Sequence, residues 1–295
     1  MCGGTRDGAL WIALRLEIPA ELEDELAAEI GAPSLGVEVV PCGPGRSRLC
    51  VYLPAGLDPS ERLDAAEELL RGRGLDPAAC LLAVEPVEDG HWVERYQASL
   101  RPLPLGERFV AVPDGRVGPE GEREPIRLVP GRAFGTGEHA TTRLCAAALE
   151  RFVRPGSRWL DLGTGSGILA IVAARCGAVS VDALDDDPEA VEVAREVVEA
   201  NEAAGSVRVR EGSADSMAGA RLDGCVANIA TPYFLSRASE VAAVLAPGGW
   251  LLCSGLLGDD AAEVRNSLGR AGLGVIERLD EGAWCLLVAR KDPVT

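Results

Sequence analysis

Residues 159–188, WLDLGTGSGILAIVAARCGAVSVDALDDDP, pass from an apolar stretch through a glycine-rich turn into a helix-like run, then end on a second apolar stretch closed by three acids. In an open α/β sheet, ligands bind beyond the carboxyl ends of the strands, where the backbone turns sharply into a helix and comes close to the ligand. Glycine allows both, because without a Cβ it enters φ > 0 at no steric cost. Gly163, Gly165 and Gly167 occupy such a turn. About 20 residues further on, at the end of the next strand, a carboxylate can accept hydrogen bonds from ribose hydroxyls. Asp185, the first acid after VDAL, is the candidate.

A nicotinamide dinucleotide would use the same geometry, so the glycines alone leave the ligand open. The spacing from Gly163 is G-x-G-x-G, whereas a pyrophosphate seated on a helix N-terminus calls for G-x-G-x-x-G. Asp161, just inside the turn, would repel a pyrophosphate but could meet a cationic amino or sulfonium group. Together these features favour S-adenosylmethionine as the cofactor.

From about Arg158 onward, strand-like and helix-like segments alternate. RWLDLG, VSVDALD, VRVRE, LDGCVANI, GGWLLCSGLL, GVIERLD and AWCLLVAR read as strands, the last two joined by a hairpin turn at DEGA. This pattern predicts a mainly parallel sheet covered by helices on both faces, with an antiparallel strand contributed by the hairpin. The N-terminal ninety residues read β-α-β-β-α-β, with Ser60 as a helix N-cap candidate, which predicts a ferredoxin-like α+β domain over residues 1–90. Trp92, Tyr96 and Leu100 fall at helical spacing, so residues 91–104 are expected to be a helical linker and 105–295 the larger domain. DGRVGPEGERE reads as a surface loop and IRLVP as a strand entering that domain.

Two more segments converge on the glycine turn. VPGRAFGTGEHATTRLC places a glycine-rich loop before a helix; there Thr141 is expected to cap the helix and Thr142 to contact ligand. CVANIATPYF ends a strand on Asn228, whose amide oxygen can accept a hydrogen bond from an incoming amine and hold its lone pair toward a methyl group. His139 is a candidate general base, although ordering of the loop is the favoured role, and His91 on the linker is a weaker candidate still. Glu138 either attracts a cationic substrate or faces water.

Composition narrows the class. With 47% hydrophobic and 25% charged residues and no apolar run of the length a membrane span requires, the chain is expected to be soluble, with no membrane partner. The N-terminus lacks a secretory pattern, so a cytoplasmic location is expected. Nine cysteines without a C-x-x-C pair argue against a metal site. A net charge of −17 opposes direct binding of nucleic acid and suits a basic partner.

GRAFGTGEHATTRLC, WLDLGTGSGILAIVAARCGA, ALDDDPEAVEVAREVVEAN, VANIA and LAPGGWLLCSGLL, in that order, resemble the PrmA family of bacterial methyltransferases of ribosomal protein L11, and WVERYQASLRPLPLGERFVAVP is similar to its linker region. The resemblance covers about Trp92 to Leu257. It implies a substrate-recognition domain followed by a seven-stranded, Rossmann-like class I methyltransferase domain; the chain is expected to be a monomer. The activity implied is methylation of lysine side-chain and N-terminal amines of a basic ribosomal protein. Its cofactor contacts fall on Thr142, Gly163, Asp185 and Asn228. Glu138 and Ala140 stand where the family usually has Thr and Pro, and NIAT stands for NILA, so Ala230 and Thr231 at the expected acceptor pocket bear on substrate identity. A methyltransferase of the same fold acting on another protein lysine or a small amine is the alternative, as is a non-catalytic module that binds cofactor or a protein partner.

Overall fold

The structure, a computed structural model, describes residues 11–31, 36–54, 58–87, 102–113, 123–128 and 139–292. The chain divides into two compact units, residues 1–100 and 101–295. The expected linker helix, His91, Glu138 and the loop at 114–122 lie outside the described residues.

In the first unit, β1 (Trp11–Pro19), β2 (Gly36–Gly43), β3 (Arg46–Pro54) and β4 (Leu81–Val87) form an antiparallel sheet in the order β2-β3-β1-β4. Alternation along β1 sends Leu14, Leu16 and Ile18 to one face. There they share a core with Leu22, Leu26 and Ile30 from the segment ending in helix Glu23–Gly31, and with Leu70 of helix Ser60–Gly72. The expected β-α-β-β-α-β order is present, with an additional short helix at Pro77–Cys80. Ser60 is the first helical residue rather than the cap. The carboxylate of Asp58 accepts both its N–H (3.0 Å) and its hydroxyl (2.7 Å), because an ionised oxygen two residues upstream is the stronger acceptor.

The second unit opens with a three-stranded sheet of β5 (Leu103–Leu105), β6 (Phe109–Pro113) and β7 (Glu124–Leu128); β7 contains the start of the expected IRLVP strand, whereas β5, β6 and their pairing with it were not foreseen. Leu103 and Pro104 therefore belong to a strand of this unit and not to a linker. The Glu150 carboxylate accepts the N–H groups of Glu107 (3.0 Å) and Arg108 (2.9 Å), closing the β5-β6 hairpin from a helix over forty residues away.

The main sheet contains β8 (Arg158–Leu162), β9 (Ser180–Asp185), β10 (Val207–Glu211), β11 (Leu222–Asn228), β12 (Leu245–Leu257), β13 (Leu273–Glu281) and β14 (Trp284–Lys291), in the order β10-β9-β8-β11-β12-β14-β13. The first five are parallel, and β14 runs antiparallel to both β12 and β13. Trp159 and Leu160, adjacent on β8, enter separate cores. Helices Ala140–Phe152, Ile168–Arg175 and Pro188–Ala200 contribute to the first core, and helices Thr231–Val244 and Ala261–Arg270 to the second. The chain builds β8, β9 and β10 outward in one direction, then returns to place β11 and β12 on the other side of β8. The switch point of the sheet, where a ligand crevice opens, is therefore the carboxyl end of β8, which carries the glycine turn.

Candidate active site

Past the end of β8, Gly163, Gly165 and Gly167 all adopt positive φ, at 67°, 53° and 79°. A Cβ on Gly163 would lie 2.8 Å from Cγ1 of Ile229, so the turn is pressed against the exit of β11 as well as being left-handed. Between the glycines, the Thr164 N–H donates to the Leu184 carbonyl (2.9 Å), which stitches the turn to β9.

Asp185 completes that link. Its Oδ2 accepts the N–H of Gly165 at 2.8 Å and its Oδ1 accepts the N–H of Asp187 at 3.1 Å. Each oxygen keeps a second lone pair for ligand hydroxyls. Burial raises the Asp185 carboxyl above the usual carboxylate range, against the pull of these two N–H groups.

Asp161 is fully buried. Its Oδ2 accepts the Thr164 hydroxyl (2.7 Å) and the N–H of Ala170 (2.9 Å), which holds the turn onto helix Ile168–Arg175. Its Oδ1 is buried with no hydrogen-bond partner. Burial pushes the carboxyl up to about 7, opposed by the two hydrogen bonds and reinforced by the nearby charge of Asp185. The native state therefore holds a proton that an unfolded Asp, titrating near ~3.9, has already lost. The stability this contributes is fully present below ~4 and is lost as pH rises through about 7. Asp161→Asn removes the titration, so its unfolding free energy relative to the unaltered chain should rise between pH 4 and pH 7, by up to ~1.4 kcal/mol per pH unit, and level off above that. Denaturant unfolding at a series of pH values measures the difference, and a constant offset would contradict the assignment.

Thr142 and Asn228 come together as expected, with Asn228 Nδ2 at 3.5 Å from Thr142 Oγ1. Thr141 does not occupy the cap position. His139 does, with Nδ1 accepting the Thr141 N–H at 3.4 Å and lying 2.6 Å from the Thr141 hydroxyl, and its ring packs edge-on against Trp284 with centroids 4.5 Å apart. A ring nitrogen reaches the first-turn N–H here because the residue before Ala140 is extended and carries an acceptor of suitable length. His139 thus orders the first turn of the helix.

Residues not singled out from the sequence hold Asn228 in place. The Ile229 N–H donates to the Ser254 carbonyl (3.0 Å), where β12 carries an irregularity in its pairing with β14. Gly255 there has φ 84°, and a Cβ on it would lie 2.5 Å from the Ile229 carbonyl oxygen. A glycine inside the apolar run LLCSGLL was the available signal for this bulge. The Thr231 hydroxyl donates to Asp260 Oδ2 (2.6 Å), joining the exits of β11 and β12, while Ala230 is exposed.

These residues fit an adenosyl sulfonium. The three glycines hold a left-handed turn that side chains would strain, the acid on β9 can take ribose hydroxyls, and the buried unpartnered Oδ1 of Asp161, once the carboxyl is ionised, offers an acceptor to a cationic amine.

A family model described as ribosomal protein L11 methyltransferase (PrmA) matches residues 51–292. A protein of Pelotomaculum thermopropionicum named ribosomal protein L11 methyltransferase is 41% identical over 249 residues, covering 83% of this chain and 80% of that protein. Its namesake from Burkholderia multivorans is 39% identical over 246 residues, covering 83% and 79%. Among solved structures, a ribosomal protein L11 methylase from Lactobacillus delbrueckii subsp. bulgaricus aligns with a TM-score of 0.57 at 29% identity, over 65% of this chain and all of that one. With this match spanning the glycine turn, the acid on β9 and the amide at the end of β11, the chain belongs to the ribosomal protein L11 methyltransferase family.

Proposed function

We propose that this chain is a class I, S-adenosylmethionine-dependent methyltransferase acting on lysine side-chain and N-terminal amines of ribosomal protein L11. The observation that carries the reading is the 2.8 Å bond from Gly165 to Asp185 at the switch point of the sheet, with Asn228 on the next strand over. Gly163, Gly165, Gly167, Asp161, Asp185 and Thr142 would hold the cofactor, which supplies an electrophilic methyl group on a sulfonium sulfur.

The residues of the chain then align the acceptor. A lysine ammonium has no lone pair and must lose a proton before it can attack. Desolvation in an apolar pocket lowers its pKa and lets water take that proton. Asn228 directs its Nδ2 toward Thr142, which leaves Oδ1 to accept an N–H from the neutral amine and point its lone pair at the methyl carbon. No covalent intermediate with the protein is needed. The antiparallel first unit fits a ferredoxin-like substrate-recognition domain, and the net charge of −17 suits a basic ribosomal protein as partner. A monomer in the cytoplasm is consistent with this role.

Mass spectrometry of purified ribosomal protein L11 before and after incubation with the enzyme and S-adenosylmethionine tests the reading. The expected result is a gain in multiples of the mass of CH2, located on lysine and N-terminal amines. An unchanged mass, with methyl transfer to small amines instead, would overturn it.

A further inference from the structure

Trp284 heads β14 and pairs with Leu257 at the end of β12, which places it on the same carboxyl edge of the sheet as the glycine turn. It is only 6% exposed, its ring packs on His139, and its Nε1 is buried with no hydrogen-bond partner. A buried indole N–H ordinarily finds an acceptor, so one left open at the edge of a binding crevice points to a ligand atom.

Strand order identifies the ligand. Asp185, the glycine turn and Asn228 sit on β9, β8 and β11, so a molecule held by all three spans two interstrand steps, roughly 10 Å, and ends at Asn228. Trp284 lies two further steps away, beyond β12, on the side opposite the ribose-binding acid. A donor placed there meets the acceptor substrate. Being uncharged, it matches a neutral carbonyl oxygen, which a polypeptide presents at every residue around a target lysine. The helix turn that starts at His139 also carries Thr142, the residue touching Asn228, so the position of the indole is mechanically tied to the amide that holds the amine.

We propose that Trp284 lines the acceptor channel and donates its indole N–H to a backbone carbonyl of the incoming polypeptide, as a specificity residue for protein substrates. This inference rests on the methyltransferase reading above.

Selective indole-15N labelling of the full chain gives five tryptophan signals to follow. That of Trp284 is assigned by its loss in Trp284→Phe or, should that variant not fold, by contacts with the His139 ring. S-adenosylhomocysteine alone is expected to leave the signal in place, and subsequent addition of ribosomal protein L11 to move it downfield. Trp284→Phe keeps an aromatic, though smaller, ring and removes the donor; it should raise KM for ribosomal protein L11 about five- to tenfold while moving kcat and the affinity for S-adenosylhomocysteine less than twofold. A shift caused by S-adenosylhomocysteine alone would assign the donor to the cofactor and overturn the proposal. No shift with ribosomal protein L11, in an enzyme that methylates that protein, would overturn it and leave the methyltransferase reading intact. If the unaltered enzyme adds no methyl groups to ribosomal protein L11, the reading and this proposal fall together.

Discussion

Replacing Asp185 by alanine should weaken binding of S-adenosylhomocysteine by about a hundredfold or more, measured by calorimetry on the folded protein. Two losses combine. On the proposed reading the variant removes the acceptor for ribose hydroxyls, and hydrogen bonds to a charged group are worth about 1.5–3 kcal/mol each. It also frees the Gly165 N–H, now held at 2.8 Å, so a turn made of left-handed glycines loses the contact that fixes it against β9. Glycine gives up more conformational freedom on ordering than any other residue, and a loosened turn must be reordered by the ligand. Asp185→Asn keeps one carbonyl acceptor and should recover part of the affinity. Because Asp187 rather than Asp185 caps helix Pro188–Ala200, the fold should survive either change. An affinity within threefold of the unaltered protein would remove Asp185 from the site.

The second large effect is expected on turnover. Asn228→Ala should lower kcat toward ribosomal protein L11 by about a hundredfold, the scale of loss that follows from misplacing a reacting group by roughly an ångström. The neutral amine is a competent nucleophile without help, and on the proposed reading the amide supplies its direction. Asn228→Asp retains an oxygen acceptor at the same place and should keep more activity than the alanine variant. The split is read from initial rates at saturating cofactor and acceptor. A kcat for Asn228→Ala within threefold of the unaltered enzyme would show that the amine is aligned by other groups.

The two residues differ in how their surroundings are encoded. Asp185 and its glycine partner are 20 residues apart and belong to one strand-turn-helix-strand unit, so spacing alone brings them together. The alternation of segments likewise predicts the seven strands, because apolar runs and their glycine and acidic boundaries are local features. Asn228 was placed at a strand end by the same means. Its setting was not, since Thr142 is 86 residues upstream and Gly255 approaches Ile229 from the next strand along the sheet.

Other differences have the same origin. Thr141 was expected to cap its helix because a hydroxyl is the usual N-terminal acceptor, but His139, steadied against Trp284 from the distant hairpin, takes that position. Residues 103–113 contain two prolines in the stretch Pro104–Pro113 and read as a connection; Glu150 folds them into a hairpin. The sequence by itself determined the βα alternation, the left-handed glycine turn, the acid that joins it and the polar residue ending β11. Tertiary structure alone decided the strand order that puts β8 at the switch point, the burial that raises Asp161 to about 7, and the contacts fixing Asn228 and Trp284. Periodicity and turn chemistry act over a few residues along the chain, whereas sheet order, burial and hydrogen bonds between distant segments arise only when two cores close around one sheet.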